Sequence, residues 1–169
     1  LYRPGKTLTD PTTKEVLGHE ADYLGNARVT RAGEPAILTV SGAIAEIGRG
    51  DHLIATPKLD VVSYVPHAPK QAVEGRIMTV YGAMHGGGAN SVVSVSRGAK
   101  DGLEIGHVLA LNKAGQNVTD RFRGDKATFR LPDERYGLVF VFRVFERVSY
   151  ALVMDASHEV EPGDFVRTP

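Results

Sequence analysis

The sequence has no cysteine, no tryptophan, no surplus of either charge and no long uncharged apolar run. Without cysteine there is no disulfide framework, no thiolate nucleophile and no cysteine-ligated metal. Lysine plus arginine number 20, and aspartate plus glutamate number 20. That balance leaves no positive excess to neutralise a phosphate backbone or to hold an anionic bilayer, so no nucleic-acid partner is expected. The most apolar stretch, residues 138–154, carries Arg143, Glu146 and Arg147 in its middle. A spanning helix needs about 20 largely uncharged residues, so no membrane span is expected. Residues 1–10 lack the charged start and apolar stretch of a secretory signal, and the first residue is Leu1. The chain therefore reads as a segment of a longer protein whose targeting signal lies elsewhere.

What is present suits a β protein. The 169 residues are 42% hydrophobic, enough for a packed core, and 19 glycines and nine prolines are scattered along the chain. Such punctuation fits many short strands joined by tight turns better than a helical bundle. Three segments end alike: Ile47-Gly48-Arg49-Gly50-Asp51-His52-Leu53, Leu103-Glu104-Ile105-Gly106-His107-Val108-Leu109, and Val160-Glu161-Pro162-Gly163-Asp164-Phe165-Val166. In each, a glycine and then a polar residue precede a short apolar strand, as expected where a turn needs a positive φ. Two further strands precede each ending, at 26–31 and 36–41, 75–81 and 91–96, and 137–145 and 149–155. The repeated unit is strand, turn, strand, glycine turn, strand, and paired units can close a small barrel without exposed edges. The distance from the middle strand to the glycine turn differs among the copies on this reading.

The fold expected is all-β: two small β domains built from related strand-turn-strand units, the second a small closed or partly open β-barrel. Boundaries fall at residues 1–65 for the first domain, 66–70 for a linker broken by Pro66 and Pro69, and 71–169 for the barrel domain. A long irregular loop occupies 112–136. Leu138, Phe140, Phe142 and Val144 form the heaviest apolar stripe and are expected in the core, with Val139 and Val141 on the opposite face. The helix candidates are 10–17, behind an Asp10 cap, and a single turn at 101–105.

Further residues carry a family likeness: Tyr2-Arg3-Pro4-Gly5, residues 10–18 (DPTTKEVLG), Glu46-Ile47-Gly48-Arg49-Gly50-Asp51, residues 97–109 (RGAKDGLEIGHVL) and residues 131–137 (LPDERYG). Together they resemble the C-terminal region of proteobacterial cell-envelope proteins with an N-terminal lysin motif (LysM). More loosely, they resemble β-barrel modules of flagellar accessory and cell-shape proteins. The likeness implies a bacterial, periplasmic structural module beside a peptidoglycan anchor. The chain itself contains no lysin motif, so peptidoglycan binding belongs by resemblance to the parent protein.

Candidate chemistry is sparse. Arg49-Gly50-Asp51 spells an adhesion tripeptide, but its place at a repeated turn explains it without a receptor. Gly86-Gly87-Gly88 lacks the lysine and the helix of a phosphate loop and reads as a hairpin loop. His19, His52, His67, His85, His107 and His158 show no i, i+4 pairing, so a metal would require distant residues to converge. His107 replaces the aspartate of the other two turns, which argues against a chemistry shared at that position. No serine sits on a glycine elbow, and Glu15, Glu20, Glu46, Glu104 and Glu134 read as solvated carboxylates. The expected contact surface for an envelope protein comprises Arg121, Phe122, Arg123, Arg135 and Tyr136, where guanidinium forks and aromatic rings suit carboxylate or sugar partners. The sparse chemistry and the resemblance together imply a non-catalytic scaffold or partner-binding module of the cell envelope, with no cofactor and no metal expected. The alternative is a peptidoglycan-processing enzyme whose site assembles from separate loops. An oligonucleotide-binding barrel is disfavoured by the charge balance.

Overall fold

A computed structural model of the chain describes residues 1–56, 64–83, 86–119 and 128–169. The protein is all-β. Its strands are β1 (Tyr2–Thr9), β2 (Val16–Tyr23), β3 (Gly25–Arg31), β4 (Ile37–Ala43), β5 (Glu74–Val80), β6 (Val92–Val95), β7 (Val108–Lys113), β8 (Asn117–Thr119), β9 (Thr128–Arg130), β10 (Glu134–Val144), β11 (Ser149–Ala156) and β12 (Phe165–Arg167). The chain divides into two compact units, one of Leu1–Leu8 with Gly18–Val62, the other of Thr9–Leu17 with Ser63–Pro169. Residues 9–17 belong to the second unit. The expected linker is tied into that unit as well, because the His67 N–H donates to the Gly106 carbonyl and Val108 N–H donates to the His67 carbonyl.

The second unit contains a closed six-stranded antiparallel barrel in the order β10-β11-β6-β5-β12-β7. Exchanging β5, β6 and β7 for β10, β11 and β12 maps every neighbour onto a neighbour, so the barrel is two interlocked copies of one unit. The register agrees residue by residue. Ile77 pairs with Val95 and Thr79 with Ser94 across a slip, and Val141 pairs with Ala151 and Arg143 with Tyr150 across the same slip. Met78 and Phe142 are the extra residues of these two bulges, which bend and twist the strands as barrel closure requires. The third strand of each copy pairs with the first strand of the other, Phe165 with Arg76 and Val108 with Phe140. The pseudo-two-fold axis runs through the Ser94–Tyr150 and Ala110–Arg167 pairs.

The first unit holds a third copy of the same design. Here β3 and β4 pair Val29 with Leu38 and Arg31 with Ile37, with Thr30 as the extra residue. Once the bulges set the alignment, the middle strand lies at a nearly constant distance from the turn: Leu38 to Asp51, Val95 to His107 and Ala151 to Asp164 span 13, 12 and 13 positions. The repeat is therefore more regular than the strand ends suggest, because an unpaired bulge residue obscures the count.

The barrel is filled by Ile77, Val93, Val95, Leu109, Leu111, Val139, Val141, Val153 and Val166, all fully buried. The stripe expected in the core is inverted at its centre. Val139 and Val141 point inside, whereas Leu138, Phe140 and Phe142 are half-buried outside. A six-stranded barrel has a narrow interior that admits branched aliphatics from both copies and leaves no room for a row of phenylalanines. The bulge at Phe142 then resets the alternation, so that Val144 packs against the core. Phe140 finds cover instead under the Tyr64 ring, 6.2 Å away and edge-on.

Neither helix candidate forms. The Asp10 carboxylate does accept the N–H groups of Thr12 and Thr13, at 2.7 and 3.2 Å, as a cap would. Lys14 then turns left-handed at φ 64° and Asp10 N–H donates to the Glu15 carbonyl, so a hairpin loop joins β1 to β2. At the second candidate there is one 3-10 turn, Ala99–Asp101. The stretch 112–136 holds the end of β7, the β8–β9 hairpin and the start of β10.

Candidate functional site

The glycine turns place the chemistry. In Gly48–Asp51, Glu104–His107 and Glu161–Asp164, the third residue is a glycine with φ of 94°, 100° and 102°, and the second residue keeps a negative φ. The fourth N–H donates to the first carbonyl, at 3.4, 3.3 and 3.2 Å. These are type II turns, which need a positive φ at the third position and favour proline at the second, as at Pro162. In each, the side chain of the fourth residue reaches back and accepts the N–H of the first: Asp51 from Gly48 at 2.8 Å, His107 from Glu104 at 3.1 Å, Asp164 from Glu161 at 2.9 Å. A fourth turn, Gly88–Ser91, has Asn90 at φ 69° and Ser91 accepting from Gly88 at 3.2 Å. The polar position thus has a shared chemistry after all, as a backbone acceptor, and histidine serves as well as aspartate.

That role fixes the His107 tautomer. With Nδ1 accepting a backbone N–H, the neutral ring carries its proton on Nε2. His107 is buried beside exposed His67, the two rings edge-to-face with centroids 4.8 Å apart. His67 has the opposite tautomer, because its Nδ1 donates to the Val65 carbonyl at 2.8 Å and leaves a lone pair on Nε2. Gly106 admits this approach; a Cβ there would stand 3.1 Å from His67 Cε1. The Glu104 carboxylate completes the group, and one donor atom from each of His67, Glu104 and His107 lies within 4.8 Å of the others. Burial, then the neighbouring His67, hold the His107 imidazole below its ordinary pKa, against the opposing pull of Glu104.

The convergence that a metal or an enzyme would require therefore exists, from a loop and a turn 37 positions apart. Its donor set is short of a zinc centre. Zinc takes three or four lone pairs at about 2.0–2.2 Å. While the turn bond stands, His67 and Glu104 offer lone pairs and His107 offers an N–H. The sequence carried one hint of this group, the odd histidine at an aspartate position, and nothing to bring His67 to it.

A second buried pair lies in the barrel. The Tyr136 hydroxyl donates to Asp164 Oδ2 at 2.6 Å, and both residues are buried. Burial, then the bond to Asp164 and its charge, push the Tyr136 phenol far above the ordinary tyrosine range. Of the expected contact residues, Tyr136 is thus a core residue with its hydroxyl committed, and Arg135 is exposed on β10. Arg121, Phe122 and Arg123 lie outside the described residues, as does His85. The Asp51 carboxylate of the adhesion tripeptide is engaged by Arg3 Nε and Nη2 at 2.8 and 2.9 Å as well as by Gly48. Glu15 pairs with Arg147 at 2.7 Å. Gly87 is bridged to Val160 by two backbone hydrogen bonds. Ser149 Oγ, fully buried, has no hydrogen-bond partner among the described residues.

No protein-family model matches this chain, and no curated protein gives a significant match. Among the described residues, no helix is long and apolar enough to cross a membrane.

Proposed function

We propose that the chain is a non-catalytic scaffold or partner-binding module of the bacterial cell envelope, carried in the periplasm by a protein whose lysin motif, outside this chain, holds peptidoglycan. The observation that carries the reading is the filled barrel. Its interior is occupied by aliphatic side chains from both copies, so the module meets other molecules with its outer surface rather than with an internal cavity. Its partner is an envelope protein. The test is to incubate the purified chain with isolated peptidoglycan, spin, and analyse both fractions. The chain is expected in the supernatant with no soluble glycan fragments released, while the lysin-motif parent sediments. Sedimentation of the chain alone would overturn the division of roles.

One observation favours the second reading, a peptidoglycan-processing enzyme: His67, Glu104 and His107 meet from separate loops. The weight against it is the His107 tautomer, which leaves a hydrogen-bond donor where a zinc ligand is needed. Release of soluble glycan fragments on adding zinc, abolished by His67→Ala, would establish the enzyme and displace the scaffold.

A further inference from the structure

His67 is already arranged as a metal ligand. A ligating imidazole characteristically donates its second ring N–H to a carbonyl or carboxylate, which fixes the tautomer and orients the remaining lone pair. His67 does this, with Nδ1 donating to the Val65 carbonyl at 2.8 Å and Nε2 left as a lone pair. The Glu104 side chain is exposed and can swing. Only His107, buried beside them, is held back, because its Nδ1 accepts the Glu104 N–H and its Nε2 carries the proton.

Two imidazoles and one carboxylate are a donor set that zinc accepts, with water in the fourth position. The three donor atoms lie within 4.8 Å of one another. Around a tetrahedral zinc with bonds of about 2.0–2.2 Å, they would stand roughly 3.4 Å apart. Each pair therefore has to close by at most about 1.4 Å, within the swing of the two exposed side chains. The His107 ring then faces a choice. If zinc takes Nδ1, the lone pair that holds the Glu104 N–H is used up. If zinc takes Nε2, the proton moves to Nδ1 and two donors face each other. Either way the turn bond breaks. The loss is the smaller effect, since a neutral hydrogen bond contributes little net of water. Contacts to a ligand's far side alone change metal affinity about 10–100-fold, and a direct ligand contributes more.

We infer that His67, Glu104 and His107 take one zinc ion by exchanging the turn bond for a metal bond, so that the metal opens the Glu104–His107 turn. The His107 tautomer weighs against a preformed centre, such as catalysis would use, and not against this exchange. Such binding requires no catalysis and is independent of the envelope role. The symmetry-related turn serves as an internal control. There the Glu161 N–H is held by Asp164, whose carboxylate also accepts the Tyr136 hydroxyl inside the barrel.

The absence of cysteine removes the strongest competing zinc ligand. Calorimetric titration of the whole untagged chain with Zn2+ alone, at about pH 7.5 where free imidazoles are neutral, should show one ion bound per chain. His67→Ala, Glu104→Gln and His107→Asn should each weaken it about tenfold or more. Asparagine retains an acceptor for the Glu104 N–H but is not a customary zinc ligand. His67 and Glu104 are exposed, so their variants test the site even where His107→Asn fails to fold. In NMR spectra of the zinc-loaded chain, the His107 ring nitrogens and the Glu104 amide should shift, with that amide exchanging about tenfold faster or more, while the Glu161 amide stays unmoved. No binding at about 1 mM Zn2+, a concentration that detects even weak affinity, would overturn the proposal. So would binding that survives His67→Ala or Glu104→Gln, or a loaded chain whose Glu104 amide is unmoved.

Discussion

Glu104 donates its backbone N–H to His107 Nδ1 at 3.1 Å, the bond that Glu161 makes to Asp164 at 2.9 Å in the symmetry-related turn. Two chemically different side chains thus do one job. His107→Asp should keep the turn and most of the stability, whereas His107→Leu should cost about 1–2 kcal/mol, because the Glu104 N–H loses its acceptor. Urea unfolding at pH 7 measures the difference.

The burial of the same ring makes the fold sensitive to mild acid. His107 is held below its ordinary value of 6.5, by burial first and then by His67, with Glu104 opposing. The unfolded chain takes up the proton first as pH falls. The stabilisation is therefore fully present above pH 6.5 and is lost as pH drops through the lower folded-state value. Unfolding curves of the wild type and of His107→Asp, measured between pH 7.5 and 5, should diverge in this direction; parallel pH profiles would contradict it.

Tyr136 carries the opposite sign. Its phenol is raised by burial and by Asp164, so its contribution is fully present below about pH 10 and lost as pH rises above that. Tyr136→Phe should cost about 1.5–3 kcal/mol at pH 7, the range for a hydrogen bond to a charged group. The gap between the two proteins should narrow above pH 10, where only the wild type has a phenol to ionise at this position.

Much of this architecture was legible in the residues, for identifiable reasons. The glycine turns announced themselves because a positive φ leaves few alternatives to Gly50, Gly106 and Gly163. The repeat of Gly-Asp or Gly-His before an apolar strand located both halves of the barrel. What stayed hidden was phase and convergence. Two-residue periodicity places Leu138, Phe140 and Phe142 on one face without saying which face is inside, and the interior goes to the smaller valines. The bulges at Thr30, Met78 and Phe142 have no residue signature of their own. The meeting of His67 with His107 depends on a single parallel bridge between a loop and a turn, which no local pattern encodes. Tyr136 reads as a surface aromatic until its register against β7 and its bond to Asp164 are known.

The inverted stripe gives a quantitative check. Leu109→Ala removes a fully buried side chain and should cost about 2–5 kcal/mol. Phe142→Ala, though it deletes more atoms, should cost less than about 2 kcal/mol because that ring is half-buried on the outer face. The reverse order in chemical denaturation would put the phenylalanines inside.

Ser149 is a buried hydroxyl without a hydrogen-bond partner among the described residues. Ser149→Ala should leave stability unchanged or raise it by up to about 1 kcal/mol, since it removes a desolvated polar group and breaks no bond. A loss in thermal or urea melts would mean that the hydroxyl is satisfied.

Native-state hydrogen exchange reads most directly whether the two interlocked copies form one closed barrel. Amides of Val95 and Leu109 from one copy and of Val141 and Val166 from the other should exchange with a single shared free energy of opening, equal to that of global unfolding. Exchange in which β5, β6 and β7 open while β10, β11 and β12 stay protected would contradict the interlocked barrel.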